Sequence, residues 1–122
     1  MSRRVRTGEA AILRSCLEWL WAQGVVCWRN NTGGMVKEYQ GKTHFVRFGK
    51  KGSSDILGWL PADKFPRHPG AFFACETKQP GQRPTPDQQR FLDQVNAGGG
   101  VGLWVQSVEE LERDFAELRK ER

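Results

Sequence analysis

Three residues of types that act on phosphate esters stand at the ends of two apolar segments: Asp55, Glu76 and Lys78. Glu76 and Lys78 are separated by one residue, so on a β-strand their side chains point to the same face. Asp55 opens the other apolar segment. If the two segments are strands that pair antiparallel, the start of one lies beside the end of the other. The spacing therefore predicts that the three side chains form one cluster.

Two clustered carboxylates repel each other, and this repulsion raises the pKa of one of them unless a cation lies between them. Magnesium suits such a site, because it binds one or two protein carboxylates together with water and substrate phosphate. A lysine beside the ion can orient or deprotonate water and offset charge in the transition state. The cluster therefore favours phosphodiester hydrolysis. The ordinary alternative is a surface Glu–Lys pair at a strand end and an unrelated aspartate that caps a turn.

The elements that must position this cluster are those of an α/β domain. Apolar, β-prone runs bounded by turn residues predict strands at 25–28, 44–48, 56–60, 71–78 and 101–105. The run 71–75 is apolar without alternation, which is typical of a central strand covered by helices on both faces. The strand at 25–28 is predicted to be buried as well. Turn chemistry predicts a break at 30–34, and three prolines predict a loop at 61–70.

Three helices are predicted around these strands. The first spans 7–23, with Thr7 as its N-cap and an apolar face made by Ile12, Leu13, Cys16, Leu17, Leu20 and Trp21. The second has Thr85 as N-cap and Pro86 at its first position, and the third opens with a capping box at 107–110. Its stripe is Val108, Leu111, Phe115 and Leu118. Strands joined through helices predict one α/β domain over residues 1–122, with a central mixed β-sheet flanked by helices.

The formal net charge of the chain is +5, which favours a polyanionic partner, most often nucleic acid. The three cysteines form no C-x-x-C pair and lie among apolar residues, as buried, reduced thiols do, so a cytoplasmic location is expected. The two histidines lie far from any cysteine pair, which argues against zinc. No apolar run approaches the roughly 20 residues of a membrane span, so no membrane partner is expected. Arginines 3, 4 and 6 precede no long apolar stretch, which argues against a signal peptide.

Glu9 heads the apolar face of the first predicted helix, since it lies three and four positions before Ile12 and Leu13. A carboxylate there points toward the core side of the helix. The ordinary alternative is a favourable charge near the positive end of the helix dipole.

The sequence resembles the PD-(D/E)xK nuclease superfamily and, within it, the virus-type replication-repair nuclease (VRR-NUC) domain. The resemblance covers nearly the whole chain. It rests on Glu9, on segment 28–31, on the aspartate motif at 52–58, on the E-x-K motif at 75–78, and on 85–88 with Phe91 and Leu92. The chain departs from the superfamily name at Ser54, where that name has proline.

The resemblance implies a restriction-endonuclease-like core and a role for each motif residue. Asp55, Glu76 and the backbone carbonyl of Thr77 would hold Mg²⁺ or Mn²⁺, and Glu9 would support the metal directly or through water. Lys78 would position the attacking water, and Gln88 would help to orient Lys78 or the substrate. A solvated residue in the first turn of the helix is the ordinary alternative for Gln88.

Candidates for DNA contact lie on the segments around the predicted site: Arg29, Asn30, Arg47, Lys50, Lys51 and Arg83. Such residues bind phosphate without reading sequence, and plain solvated charges are the alternative. The five tryptophans lie in apolar elements and are expected in the core or at an interface rather than as platforms for bases.

The resemblance implies a metal-dependent, structure-specific DNA endonuclease that acts on branched DNA such as four-way junctions, without a nucleotide cofactor. Symmetric cutting of a junction needs two active sites, so a homodimer is expected. The alternatives are a flap or single-strand nuclease of the same fold and a DNA-binding module that has lost catalysis. The intact set of acidic residues and lysine argues against the last of these.

Overall fold

The computed structural model describes residues 8–30 and 33–120, with the backbone alone at 33–37, 39 and 45–48. The elements are, in chain order, α1 (Glu9–Ala22), β1 (Val26–Arg29), β2 (Gly33–Tyr39), β3 (Lys42–Phe48), β4 (Ile56–Trp59), β5 (Phe72–Thr77), α2 (Pro86–Ala97), β6 (Val101–Val105) and α3 (Val108–Lys120). All predicted helices and strands are present with small shifts at their ends, and β2 is an additional strand. The predicted N-cap Thr7 and Arg3, Arg4 and Arg6 lie outside the described residues.

Four of the strands form one mixed sheet in the order β1-β4-β5-β6. The pairs β1·β4 and β4·β5 are antiparallel, and β5·β6 is parallel. The expected α/β fold with a mixed central sheet is confirmed, and so is the antiparallel pairing of the two strands that carry Asp55 and the E-x-K motif. This architecture is compatible with a restriction-endonuclease-like core.

Helices cover both faces of the central strand β5, as predicted. Phe73 and Cys75 are buried in a core cluster together with residues of α1 and α3. The side chains of neighbouring strand residues point to opposite faces of the sheet, so the side chain of Ala74 points to the face opposite Phe73 and Cys75. There α2 packs so closely on β6 that a Cβ on Gly102 would lie 2.9 Å from the carbonyl oxygen of Leu92. The molecule therefore has three layers, with α1 and α3 on one face and α2 on the other.

Phe115 on α3 is the centre of the main core. Its ring makes edge-to-face contacts with Trp19, Phe65 and Phe73 at centroid separations of 5.2, 5.8 and 5.7 Å. Such pairs stabilise the core beyond the burial of their area. The predicted stripe of α3 is confirmed, because Leu111, Phe115 and Leu118 are buried. The three cysteines are buried and free, as expected: Cys16, Cys27 and Cys75.

The prediction of a buried strand near residues 25–28 is wrong. In β1 only Cys27 is buried, whereas Val26 and Trp28 are exposed, because β1 is an edge strand covered by α1 on one face only. Trp21 also departs from its predicted place in the core. It is 54% exposed, since it reaches over the free edge of the sheet, where its indole N–H donates to the Cys27 carbonyl at 2.9 Å.

The strands β2 and β3 form a separate hairpin with a two-residue turn at Gln40 and Gly41. Both turn residues have positive φ, 51° and 73°, as a type I′ turn requires. The turn chemistry at 30–34 predicted a break that includes Gly33 and Gly34, and this is wrong for those two residues, which lie in β2. Asn31 and Thr32 lie outside the described residues. The strand predicted at 44–48 is confirmed and begins earlier, at Lys42.

Gly58 allows β1 and β4 to lie close together beside the site. A Cβ at this position would lie 2.0 Å from the carbonyl oxygen of Val26 and 2.6 Å from Cα of Cys27. Real Cβ atoms never approach backbone this closely, so only glycine fits. None of the described helices is long and apolar enough to cross a bilayer.

Candidate metal centre

Three carboxylates from separate elements meet at one end of the four-stranded sheet. Carboxylate oxygens of Glu9, Asp55 and Glu76 all lie within 4.8 Å of one another. Glu9 is the first residue of α1, Asp55 immediately precedes β4, and Glu76 lies near the end of β5. The register pairs Ile56 with Cys75, and one further step places Asp55 beside Glu76. The predicted proximity of Asp55 to Glu76 is therefore present, and the carboxylate of Glu9 joins them.

Asp55 is fixed by hydrogen bonds to both neighbouring strands. The backbone N–H and the hydroxyl of Thr77 both donate to Oδ2 of Asp55 at 2.9 Å. The backbone N–H of Asn30 donates to the Asp55 carbonyl at 2.7 Å. Because both bonds from Thr77 end on Oδ2, they orient the carboxylate and do not engage Oδ1. Asp55 would thereby be preorganised as a metal ligand.

The loop that precedes Asp55 is tied to β1 by Asn30. The side-chain amide of Asn30 donates to Oγ of Ser53 at 2.8 Å and to the Ser54 carbonyl at 3.0 Å. Ser53 in turn donates its hydroxyl to the Lys50 carbonyl at 2.7 Å. Asn30, predicted to contact DNA, therefore has its amide N–H groups engaged within the protein. Its position in the structure is that of a residue that orders the aspartate loop.

Glu76 is the buried member of the cluster, with 2% of its surface exposed. Its Oε2 atom is buried and has no hydrogen-bond partner among the described residues. Burial is the main cause that raises the pKa of Glu76 to about 9; a hydrogen bond with Asp55 and the charges of Asp55 and Glu9 raise it further, whereas Lys78 lowers it. The protein alone therefore holds a proton on Glu76 at neutral pH.

The residues of the cluster fit a hard divalent cation. Magnesium binds oxygen ligands at about 2.1 Å, so two opposite ligands of one ion are about 4.2 Å apart. The carboxylate oxygens span at most 4.8 Å, which small side-chain rotations reduce to that value. A cation would also give the unpartnered Oε2 of Glu76 an interaction, and it would favour the ionised form of that carboxyl.

Lys78 follows β5 and keeps the direction of the strand, because its backbone N–H donates to the Val105 carbonyl at 2.9 Å. The side chain is half-buried, and its positive charge lowers the pKa of Glu76 against the effect of burial. The ammonium group therefore lies within electrostatic reach of the cluster. The contact of this ammonium group with the two carboxylates, which the E-x-K spacing predicts, stays a prediction.

Gln88 is engaged in a helix cap. Its side-chain oxygen accepts a hydrogen bond from the backbone N–H of Thr85 at 2.9 Å. The backbone N–H of Gln88 donates to Oγ1 of Thr85 at 3.3 Å. Thr85 as N-cap and Pro86 at the first helical position are confirmed. A hydrogen bond between Gln88 and Lys78 is absent from the described part of the chain.

The start of α2 lies against the loop that leads to Asp55. Gly52 has φ +82°, and a Cβ there would lie 2.6 Å from the carbonyl oxygen of Asp87. Lys51 forms an ion pair with Asp87 at 3.3 Å, and Arg90 pairs with the same carboxylate. These exposed pairs lower the pKa of Asp87, first through Arg90 and then through Lys51. The contact connects the second helix to the aspartate loop.

The remaining DNA-contact candidates are dispersed over the surface. Arg29, Lys50 and Arg83 are exposed, and Lys51 is exposed but paired with Asp87. The side chain of Arg47 lies outside the described residues. Arg29 directly precedes Asn30, and Lys50 and Lys51 lead into the aspartate loop, whereas no hydrogen bond or ion pair joins Arg83 to the site in the part of the chain that the structure describes.

The hydroxyl of Thr77 was not among the site groups predicted from the sequence, although it donates to Asp55. The middle residue of an E-x-K triplet points away from the face of its neighbours, so strand alternation gives no signal for a contact with Asp55. Ser54 was also missed: it is fully buried, and its hydroxyl has no partner among the described residues. The burial of Ser54 is indicated in the sequence only by the apolar segment that begins at Ile56.

No family model matches this chain, and no curated protein or solved structure matches it significantly. The resemblance to the VRR-NUC domain therefore stays a prediction that rests on the motifs.

Proposed function

We propose that the chain is a metal-dependent nuclease of the PD-(D/E)xK type, with a VRR-NUC-like domain. The observation that carries the proposal is the buried Oε2 atom of Glu76, which has no hydrogen-bond partner among the described residues and belongs to a carboxylate within 4.8 Å of those of Asp55 and Glu9. Burying such a carboxyl without a partner costs stability. A site that binds a divalent cation gives a reason for this cost.

In the proposed site Asp55, Glu76 and the carbonyl of Thr77 hold Mg²⁺ or Mn²⁺, with Glu9 bound directly or through water. When bound, the ion supplies Lewis-acid stabilisation of the phosphate and acidifies water. Asp55 contributes the oxygen that its two bonds to Thr77 leave available. Glu76 would hold the ion in its ionised form.

Lys78 is proposed to act on the water and the phosphate rather than on the metal. Its ammonium group would donate a hydrogen bond to the attacking water or to a phosphate oxygen, and it would offset negative charge in the transition state. Gln88 is proposed to orient Lys78 or the substrate. Its amide nitrogen would serve that role, because its oxygen belongs to the cap with Thr85.

DNA is the proposed substrate, because the chain carries a net charge of +5 and exposed basic residues flank the site. Arg29, Lys50 and Arg83 would contact phosphates, together with Lys51 and Arg47. From the resemblance we propose branched DNA, such as a four-way junction, as the substrate and a homodimer as the active form. The free, buried cysteines favour a cytoplasmic location. A flap or single-strand nuclease is the alternative within the same chemistry, and an inactive binding module is the alternative outside it.

The metal requirement is tested with Asp55→Asn, which keeps the size of the side chain and removes its charge. Asp63→Asn is the matched control, because Asp63 is an exposed aspartate in the loop between β4 and β5. We expect Mn²⁺ to raise the melting temperature of the wild type and of the control but not of Asp55→Asn. DNA cleavage in Mg²⁺ or Mn²⁺ is expected to follow the same pattern. Equal metal effects on all three proteins would overturn the proposed site.

A further inference from the structure

Large aromatic side chains are exposed on one face of the sheet near the candidate metal centre. Trp28 on β1, Trp59 on β4 and Phe72 on β5 are 46, 44 and 44% exposed. We call these three residues the aromatic face. Trp59 lies opposite Phe72 in the β4·β5 pairing and opposite Val26 in the β1·β4 pairing. The aromatic face therefore crosses three adjacent strands.

The aromatic face lies on the side of the sheet to which Glu76 projects, and Glu9 reaches the same cluster from α1, which packs on the opposite side. Alternation along β5 puts Phe72, Ala74 and Glu76 on the same side. Phe72 is paired with Trp59, so the two tryptophans lie on this side as well. Helix α2 also lies on this side and packs on β5 and β6, whereas Val26, Trp28 and Trp59 on β1 and β4 are exposed. The partly exposed Leu57 lies between Trp59 and Asp55 on this side of β4.

We propose that the aromatic face binds unpaired bases of a DNA strand whose backbone passes the acidic cluster. The proposal rests on the proposed function and specifies its substrate as DNA with single-stranded nucleotides beside the cut bond. The four residue steps from Phe72 to Glu76 span about 13 Å, a distance that a few nucleotides of extended strand cover. Bases of any sequence stack on aromatic side chains, and basic residues hold the intervening phosphates.

The geometry of the two tryptophans suits stacking by separate bases. Their rings meet edge to face, with centroids 6.1 Å apart and planes at 69°. In this arrangement the rings do not cover each other, so ring surface stays open to a ligand. Lys78, two positions after Glu76 and on the same side of the strand, supplies a positive charge for the backbone. Bases in continuous duplex are stacked on their neighbours, so intact linear duplex has no base to offer this surface.

A second copy of the chain is the other occupant that such a face suggests, because exposed apolar patches also mark protein interfaces. Two features favour DNA. The face lies on the side of the sheet to which Glu76 of the cluster proposed to act on a phosphodiester projects, and the net charge of +5 opposes the approach of a like copy while it attracts a polyanion.

The test compares two oligonucleotides that differ in their bases but not in their phosphates. Fluorescence anisotropy in EDTA measures binding of labelled oligothymidine of about twelve nucleotides, within the usual site size of single-strand binding folds. The partner oligonucleotide has abasic positions throughout its centre. We expect the wild type to bind oligothymidine about tenfold more tightly than the abasic strand, the effect of roughly one stacked base.

The variants Trp59→Ala and Trp28→Ala are expected to lose most of this preference and to retain their binding to the abasic strand. Trp59→Phe keeps a ring and is expected to retain the preference. Trp21→Ala is the control, because Trp21 is an exposed tryptophan carried by α1. Circular dichroism and thermal unfolding establish that each variant is folded.

Equal binding of the two oligonucleotides by the wild type would overturn the proposal, and so would equal loss of both in the tryptophan variants. If sedimentation equilibrium gives a dimer for the wild type and a monomer for Trp59→Ala, the face is an interface between copies, and the proposal fails. Because binding is measured without metal, it is independent of cleavage. Base-dependent binding by a protein that cuts no DNA would retain the aromatic face and reject the nuclease.

Discussion

Burial of Glu76 costs free energy whenever its carboxyl is ionised, because the Oε2 atom has no hydrogen-bond partner in the described part of the protein. The neighbouring carboxylates of Asp55 and Glu9 add repulsion. A proton or a divalent cation relieves this cost, and the two compete for the same oxygens. At the scale of single residues, the site is therefore a buried carboxyl group whose charge state would depend on the proposed metal.

The first prediction concerns the pH dependence of stability in EDTA. The carboxyl of Glu76 has a pKa of about 9 in the folded protein, against an ordinary value of 4.5. Between these values the folded state binds one more proton than the unfolded state, so stability decreases as pH rises. The contribution of protonated Glu76 to the free energy of unfolding is complete below pH 4.5 and is lost as pH rises through about 9. Urea denaturation at several pH values is expected to give a slope of up to about 1.4 kcal/mol per pH unit.

Glu76→Gln is the matched variant for this experiment, because it cannot ionise. Its free energy of unfolding is expected to lack the decrease that the wild type shows between about pH 5 and pH 8. The same pH dependence in both proteins would mean that Glu76 is not the group that holds the proton.

The second prediction concerns the hydroxyl of Thr77. Thr77→Val removes the hydrogen bond to Oδ2 of Asp55 while keeping a β-branched side chain. We expect Mn²⁺ affinity, measured by titration calorimetry, to decrease by at least about tenfold, as when a group that orients a metal ligand is lost. Thr77→Ser keeps the hydroxyl and should retain most of the affinity. Unchanged affinity in Thr77→Val would show that the backbone N–H alone fixes Asp55.

At the scale of elements, the site depends on the close approach of β1, β4 and β5. The third prediction is that Gly58→Ala destabilises the protein, because the added Cβ would lie 2.0 Å from the Val26 carbonyl oxygen. We expect a loss of about 1–3 kcal/mol in the free energy of unfolding, the usual cost of overpacking. Gly8→Ala, which meets no atom within 4 Å, is the control and should cost less. An equal effect of both substitutions in urea denaturation would contradict the close packing of β1 on β4.

The elements that the sequence predicted best are those with a strong local signal. The apolar run of β5 and the Thr85–Pro86 start of α2 identify their elements from neighbouring residues alone. The exposure of β1 could not be predicted, because the same apolar residues suit a central or an edge strand. The strand β2 was missed because Gly33 and Gly34 favour turns, whereas the turn lies at 40–41.

The candidate site was also predictable where local sequence signals identify the elements that carry it. Asp55 and Glu76 meet because β4 and β5 pair antiparallel, and their spacing suggested that pairing. The bonds of Asn30 to the aspartate loop and of Thr77 to Asp55 join residues more than twenty positions apart. No local pattern encodes such contacts. The capping role of Gln88, by contrast, is local. It could have been predicted from the spacing of Thr85 and Gln88.

At the scale of the whole molecule, the metal centre lies at one end of the sheet and the aromatic face extends from it toward β1. The fourth prediction is that a junction-cutting form is a homodimer, because symmetric cuts need two centres. Sedimentation equilibrium in the presence of a four-way junction is expected to give two copies of the 13.9 kDa chain per junction. A single bound copy that still makes paired cuts would contradict this prediction.

The most direct test of the central claim is cleavage of labelled four-way junction, flap and linear duplex DNA in Mg²⁺ or Mn²⁺ by the wild type and by Lys78→Ala. We predict metal-dependent cutting by the wild type and a loss of about a hundredfold or more in the variant, as when a group that stabilises transition-state charge is removed. Lys64→Ala, an exposed lysine in the loop between β4 and β5, should cut normally. Preference for the junction would support the branched substrate, and preference for the flap would support the alternative. Absence of metal-dependent cutting on every substrate, or full activity of Lys78→Ala, would contradict the account.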